Sequence, residues 1–277
     1  MLNLHSTKKL VNGVEMPRFG LGVYKMTNPD EAYSAMSHAL EAGYIAIDTA
    51  ALYDNEEQVG QAVRDSKKKR EELFITSKVW NTDQGYDQTL RAFETSLKKL
   101  DMDYLDLYLT HWPVPELYAD TYRAIERLYD EKLIRATGVS NHEPHHLEKL
   151  LATANVQPMV NQIELHPHLI QQKNRDFAKQ HNIAITSWSP LGRGRVLEDE
   201  AIVKLGEKYG KSAAQVIIRW HLQHDLIVIP KSVKEVRIRQ NADVFDFKLT
   251  AEDMQAIDML NRDERYGSHP DTFHLKK

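Results

Sequence analysis

The chain has 277 residues, 42% of them hydrophobic and 27% charged, with a formal net charge of -4 and no cysteine. That length suits one barrel domain of about 250 residues, so residues 1–277 are read as a single domain. The acidic balance excludes a general nucleic-acid binder, and the missing cysteines exclude disulfides, thiolate catalysis and Cys-ligated zinc. No apolar run approaches the ~20 residues of a membrane span. The opening MLNLHSTKKLV lacks an apolar core of signal-peptide length. The expectation is a monomeric, cytoplasmic protein with no membrane or nucleic-acid partner.

Within residues 8–16, Asn12-Gly13 lies between apolar residues. This predicts a small hairpin with a type I′ turn, which has φ > 0 at both central positions. Strands are expected at Arg18–Leu21, Ile45–Asp48, Leu73–Lys78, Leu105–His111, Arg135–Ser140, Met159–Gln162, Ile183–Ser187 and Leu226–Pro230. Helical patterns separate them. Ala32, Ala35, Met36, Ala39 and Leu40 share a face between Pro29 and Gly43. Asn55 begins a helix carrying Val59, Ala62 and Val63, and Leu147, Leu150, Leu151 and Ala154 repeat the pattern. Ser212 and Gln215 form a capping-box sequence ahead of Val216, Ile217 and Trp220. Extra helices are expected at Glu198–Tyr209 and Ser232–Ala242, flanking the last strand, before a final helix at Ala251–Leu260. Eight strand–helix units predict an α/β fold, a (β/α)8 TIM barrel with the hairpin in front of it. The tail after Arg262 shows no periodicity.

The expected strands share a feature: each later one ends in polar side chains. Tyr44-Ile45-Ala46-Ile47 reads as a buried strand that stops at Asp48, and the loop beyond it presents Tyr53. Lys78 and Trp80 follow the third strand, and His111 and Trp112 the fourth. Ser140 and Asn141 end the fifth, Gln162 the sixth, Trp188 and Ser189 the seventh, and Lys231 and Ser232 the eighth. Barrel enzymes place their chemistry at this carboxyl rim. A Lys ammonium beside a phenol favours the phenolate and lowers the Tyr pKa, and an Asp would hold that Lys. A nearby His could hydrogen-bond a substrate oxygen. Such a set is a tuned general acid facing a carbonyl that gains negative charge. With no nucleophile elbow and no cysteine, a hydride from a nicotinamide is the natural reactant. Taken singly, Asp48 would be a cap, Tyr53 a packed ring, Lys78 a solvated charge and His111 a core histidine. Four matching roles at one rim outweigh those readings.

Gly43-Tyr-Ile-Ala-Ile-Asp-Thr-Ala-Ala-Leu-Tyr53, Ile75-Thr-Ser-Lys78, Leu105-Asp-Leu-Tyr-Leu-Thr-His-Trp-Pro113, Gly138-Val-Ser-Asn141, Asn161-Gln162 and Ile229-Pro-Lys-Ser232 resemble the motifs of aldo-keto reductases, in the family's order and along nearly the whole chain. The resemblance implies Tyr53 as proton donor, Asp48 and Lys78 as its tuning pair and His111 as the carbonyl-orienting group, without a metal. It is nearest to the bacterial branch of 2,5-diketo-gluconate reductases and general aldehyde reductases.

No Gly-x-Gly-x-x-Gly follows a strand, so the Rossmann fingerprint is absent. Gly192-Arg-Gly194-Arg195 could bring backbone amides to a phosphate, and Lys231, Ser232, Arg237 and Arg239 suit a phosphate dianion. A plain flexible loop and a bland helix surface are the alternatives. The resemblance implies NADP(H), with Lys231, Ser232, Val233, Arg237, Gln240 and Asn241 at the adenosine 2′-phosphate end and Gly22, Ser189, Leu191 and Gly192 along the cofactor. Ser140, Asn141 and Gln162 would then hold the nicotinamide carboxamide, and Trp188 would stack on its ring where the family usually has Tyr.

His142-Glu-Pro-His-His146 matches the H-E-x-x-H zinc pattern, but Pro144 belongs in a first helical turn, which leaves His142 outside the helix. Glu164, His166 and His168 read as loop or core residues. Tyr24, Trp80, His111 and Trp112 should line a substrate mouth. The short connection after Pro113 and the short tail suggest an open, shallow site. The expected activity is NADPH-dependent reduction of small aldehydes such as methylglyoxal, aromatic aldehydes and possible keto-sugars. Its rivals are an NADPH-binding sensor with little turnover and a zinc hydrolase.

Overall fold

The computed structural model describes residues 2–273, so the last four residues of the tail lie outside it. A two-stranded antiparallel hairpin, β1 (Thr7–Lys9) and β2 (Glu15–Pro17), precedes the barrel. Its turn is not type I′. Gly13 has φ 89° and Asn12 is outside the positive-φ region, while Gly13 N–H donates to Leu10 O. An ordinary turn followed by a left-handed glycine spans five residues and needs only one positive φ.

The barrel strands are β3 (Leu21–Gly22), β4 (Ala46–Asp48), β5 (Phe74–Val79), β6 (Leu105–Thr110), β7 (Ile134–Ser140), β8 (Val160–Glu164), β9 (Ala184–Trp188) and β10 (Ile227–Val228). They pair in sequence order, all parallel, and a parallel bridge from Phe19 to Val228 joins the last strand to the first. Each expected strand is present within a few residues of its expected ends; Arg18–Leu21 corresponds to that bridge plus β3.

The helices are α1 (Pro29–Glu41), α2 (Glu56–Asp65), α3 (Tyr86–Leu100), α4 (Tyr118–Asp130), α5 (Pro144–Leu151), α6 (Gln172–Gln180), α7 (Glu200–Tyr209), α8 (Ala213–Gln223), α9 (Glu235–Ala242) and α10 (Ala251–Asp258). Ser212 Oγ accepts from Gln215 N–H, as the capping-box sequence predicts. The two extra helices are α7 and α9, on either side of β10.

Alternation along the strands builds both the core and the site. Ala46, Phe74, Leu107, Ala136, Val160 and Ala184, each within the first three residues of its strand, form one apolar cluster, which Leu10 and Met16 of the hairpin segment plug from below. Residues two or four further along share the same face of their strand. Those positions are Asp48, Lys78, His111, Ser140, Gln162 and Trp188. One period of two therefore fills the barrel bottom with hydrocarbon and its top with polar groups.

Candidate active site

Tyr53 is placed by a local network. It ends a 3-10 turn, Ala51–Tyr53, and Asp54 then adopts a left-handed conformation. Asn55 precedes α2, but its amide does not cap the helix. It accepts from Thr49 Oγ1 at 2.7 Å and donates to Val23 O at 2.9 Å. This ties the loop carrying Tyr53 to the segments after β3 and β4.

Below it, the Lys78 Nζ has three hydrogens and three acceptors: Asp48 Oδ1 at 2.6 Å, Thr49 O at 2.8 Å and Tyr53 Oη at 3.3 Å. Lys78 is fully buried. Because Tyr53 Oη accepts from Lys78, its own hydrogen is left to point elsewhere. Burial pulls the Lys78 pKa down, and the Asp48 carboxylate opposes that pull. The Tyr53 hydroxyl is not acidified as the sequence argument expects. Burial pushes its pKa well up, and Asp48 and Tyr24 add to the shift, although the ring is only half-buried because it borders the cavity. Desolvation of the phenolate outweighs one ammonium already shared with a carboxylate. The group holds its proton until an acceptor arrives. His111 is pushed well below its usual pKa by burial and then by the Lys78 charge, which keeps the imidazole neutral.

Polar partners link this centre to the next strands. Gln162 Nε2 donates to Asp48 Oδ2 at 2.6 Å. Ser140 Oγ donates to Gln162 O, and Asn141 Nδ2 to His111 O and Ser140 Oγ. Trp188 Nε1 donates to Asn141 Oδ1 at 2.8 Å, a bond its indole makes possible. Asn141 and Ser189 sit at positive φ, 60° and 47°, at the ends of β7 and β9. Such backbone persists where surrounding contacts fix it.

A cavity of about 770 Å³ opens at this rim. Tyr24, Tyr53, Trp80, His111 and Trp112 line it beside Ser140, Asn141, Gln162, Trp188, Ser189 and Leu191. It runs on to Gly22, Lys231, Ser232, Val233, Arg237, Gln240 and Asn241. A Cβ on Gly22 would lie 2.8 Å from Ile229 O, so only glycine fits that wall. Of the expected site residues, Lys78 lies beneath Tyr53 and Gly192 lies behind the wall, turned to Val196 and Tyr266. Arg239 of the expected basic cluster is bonded to Glu235 instead of facing the cavity. Among the described residues, Lys231, Lys234, Arg237 and Arg193 line the cavity without an ion-pair partner. Lys231, Lys234 and Arg237, close in sequence to the Ser232 hydroxyl, fit a phosphate-bearing cofactor.

Arg193 and Gly194 of the expected glycine-containing loop line the cavity, and so do Lys25, Leu52, Ser268 and Phe273, which were not expected from sequence. Phe273 packs on Trp112 with ring centroids 4.2 Å apart and planes tilted by 31°, and meets Trp80 edge-on at 5.9 Å. The site is thus less open than the short tail suggests. Nothing in an aperiodic tail signals that it folds back over the barrel.

His142 is outside α5, as Pro144 requires; its Nδ1 meets Ser140 O at 2.9 Å, and burial lowers its pKa to about 3. His145, His146 and Asp271 bring ligand-type atoms within 4.8 Å of one another. Glu143 N–H donates to His146 Nδ1, which puts that ring's proton on the Nε2 facing Asp271. The group lies at a helix N-terminus, where a carboxylate is favoured and a cation is not. It anchors the tail.

Residues 18–262 match the model of the aldo/keto reductase family. The chain belongs to the aldo/keto reductase family. A glyoxal reductase of Bacillus subtilis is 56% identical over 97% of this chain and 98% of its own length. The methylglyoxal reductase DkgA of Escherichia coli is 46% identical over 96% and 97%. A crystal structure of a Gox0644 mutant in complex with NADPH superposes with a TM-score of 0.93 at 47% identity, covering 97% of this chain and 98% of that one. The aldo-keto reductase barrel, hairpin and extra helices inferred from sequence are therefore present. Among the described residues no helix is long and apolar enough to cross a membrane.

Proposed function

We propose that this aldo-keto reductase reduces small reactive aldehydes, the class of glyoxal and methylglyoxal, with Tyr53 as proton donor. The observation that carries the reading is Lys78 Nζ, fully buried, donating to Tyr53 Oη at 3.3 Å while held by Asp48 at 2.6 Å. NADP(H) is the cofactor, and it supplies the hydride that the carbonyl carbon accepts.

The chain's residues do the rest. Lys231, Ser232, Arg237, Gln240 and Asn241 bind the phosphate end, helped by the unpaired charges there. Ser140, Asn141, Gln162 and Trp188 line the cavity; in this reading the first three would hold the carboxamide and Trp188 would cover the ring face. As the substrate oxygen gains charge, neutral His111 and Tyr53 are the donors beside it. The Tyr53 proton moves to that oxygen, and the phenolate formed lies against the Lys78 ammonium. Solvent returns the proton after product leaves. Tyr24, Trp80, Trp112 and Phe273 give the small carbonyl an apolar wall. Aromatic aldehydes fit the same wall by stacking.

Following NADPH absorbance with methylglyoxal tests this. Tyr53→Phe should lower kcat by about 10²–10⁴, the range of general acid–base catalysis, while NADPH still binds. Wild-type turnover by that variant would remove Tyr53 from the mechanism. Tight NADPH binding by the wild type without turnover on any aldehyde would replace the reductase with a sensor.

A further inference from the structure

The tail is pinned to the barrel by one carboxylate that the reaction does not use. Glu164 ends β8, two residues beyond Gln162 on the same strand face, and is fully buried. Its Oε1 accepts the backbone N–H of Tyr266 at 2.8 Å and of Gly267 at 2.9 Å, and lies 3.3 Å from His166 Nε2. Its Oε2 is 3.0 Å from the same Gly267 N–H. A buried carboxylate is costly unless such donors surround it, so the contact holds the tail firmly in register.

The pinned backbone presses on Trp188. A Cβ on Gly267 would sit 2.4 Å from Trp188 Cη2 and 2.9 Å from Glu164 Oε2. Trp188 is paired in register with Glu164 across β8 and β9, and its Nε1 donates to Asn141 Oδ1. The indole is thus bounded by its own strand, by Asn141 and by the tail. The same tail braces the loop at Gly192: Tyr266 stacks on His166 at 4.8 Å and carries Arg195 over its ring at 4.7 Å.

We propose that Glu164 is a positioning residue for hydride transfer: by clamping Tyr266 and Gly267 it sets the pose of Trp188 over the nicotinamide. The inference rests on the reading of Trp188 as the cover of that ring. Glu164 touches neither substrate nor cofactor, and its effect passes through Gly267 to the indole. It is the far edge of the indole, at Cη2, that comes within reach of the tail.

Two variants approach the contact from opposite sides. Glu164→Gln keeps the shape but turns one acceptor into an NH2 donor that faces a backbone N–H. Gly267→Ala leaves Glu164 intact and forces the indole or the tail to shift. Gly267 lacks a positive φ, so alanine is tolerated by its backbone. Both should lower kcat about 10- to 100-fold, the scale of a misplacement on the order of 1 Å, with a smaller change in KM for methylglyoxal. Both should also alter the quenching of Trp188 fluorescence by NADPH, read as the difference from Trp188→Phe. A merely structural role would lower the melting temperature and leave kcat and quenching alone. That result, or wild-type kcat in Gly267→Ala, overturns the proposal. Loss of activity in Tyr53→Phe with normal kcat in both variants would overturn this inference and leave the reductase reading standing.

Discussion

Each end of the barrel has a Lys–Asp ion pair, and the two differ in what surrounds them. At the carboxyl end, Lys78 and Asp48 lie 2.6 Å apart with side-chain exposures of 0% and 7%. At the amino end, Lys8 and Arg18 grip Asp225, with exposures of 25%, 17% and 61%. Water screens the second set, which fastens the hairpin segment to the loop before β10. The first cannot shed its charges to water, so every hydrogen of the ammonium must find a protein acceptor, and one of the three is Tyr53 Oη. Burial turns an ordinary ion pair into a group that governs a neighbouring hydroxyl.

The comparison can be broken at its strongest point first. Among the described residues, Lys78→Met leaves buried Asp48 with only Gln162 as side-chain partner. It should cost about 3–5 kcal/mol of stability and lower kcat at least about 10²-fold, read from urea melts and NADPH oxidation. Retained activity would mean that the buried pair is a fold element only. The next largest effect concerns cations left without partners. Lys231→Met and Arg237→Met should each weaken NADPH binding about 10-fold, in the range of a charge-assisted hydrogen bond, with NADH binding unchanged. Equal losses for both cofactors would remove the 2′-phosphate from the argument.

Buried histidines sharpen the same contrast through pH. His142 has its pKa lowered to about 3 by burial. Between that value and the unfolded pKa of about 6.5, the unfolded chain binds a proton that the folded chain refuses. Its contribution is complete above the unfolded value, and stability falls by about 1.4 kcal/mol per pH unit as pH drops below it. Buried His111 and His221 add slopes of the same sign, so unfolding free energies measured from pH 7 to pH 5 should fall at least this steeply, and His142→Asn should remove about 1.4 kcal/mol per pH unit of the slope. The smallest effect belongs to the exposed pair. Asp225→Asn should change stability by less than about 1 kcal/mol and leave kcat untouched; a larger loss would show that the hairpin end is more cooperative than its exposure indicates.

The sequence by itself determined the strand–helix alternation, because periods of two and of 3.6 residues are local. It also placed Asp48, Tyr53, Lys78 and His111, because a strand that ends polar shows its end in the order of residues. It could not supply the hairpin turn, which depends on how many residues span Lys9 and Glu15, nor the direction of the Tyr53 shift, which depends on how much protein surrounds the hydroxyl. Tertiary structure alone decided the tail. Tyr266, Gly267 and Phe273 follow no period, and their contacts with Glu164, Trp188 and Trp112 cross from about 80 to over 160 residues of chain. A backbone N–H has no residue type to announce it, so a carboxylate that binds two of them is legible only once the barrel has brought its ends together.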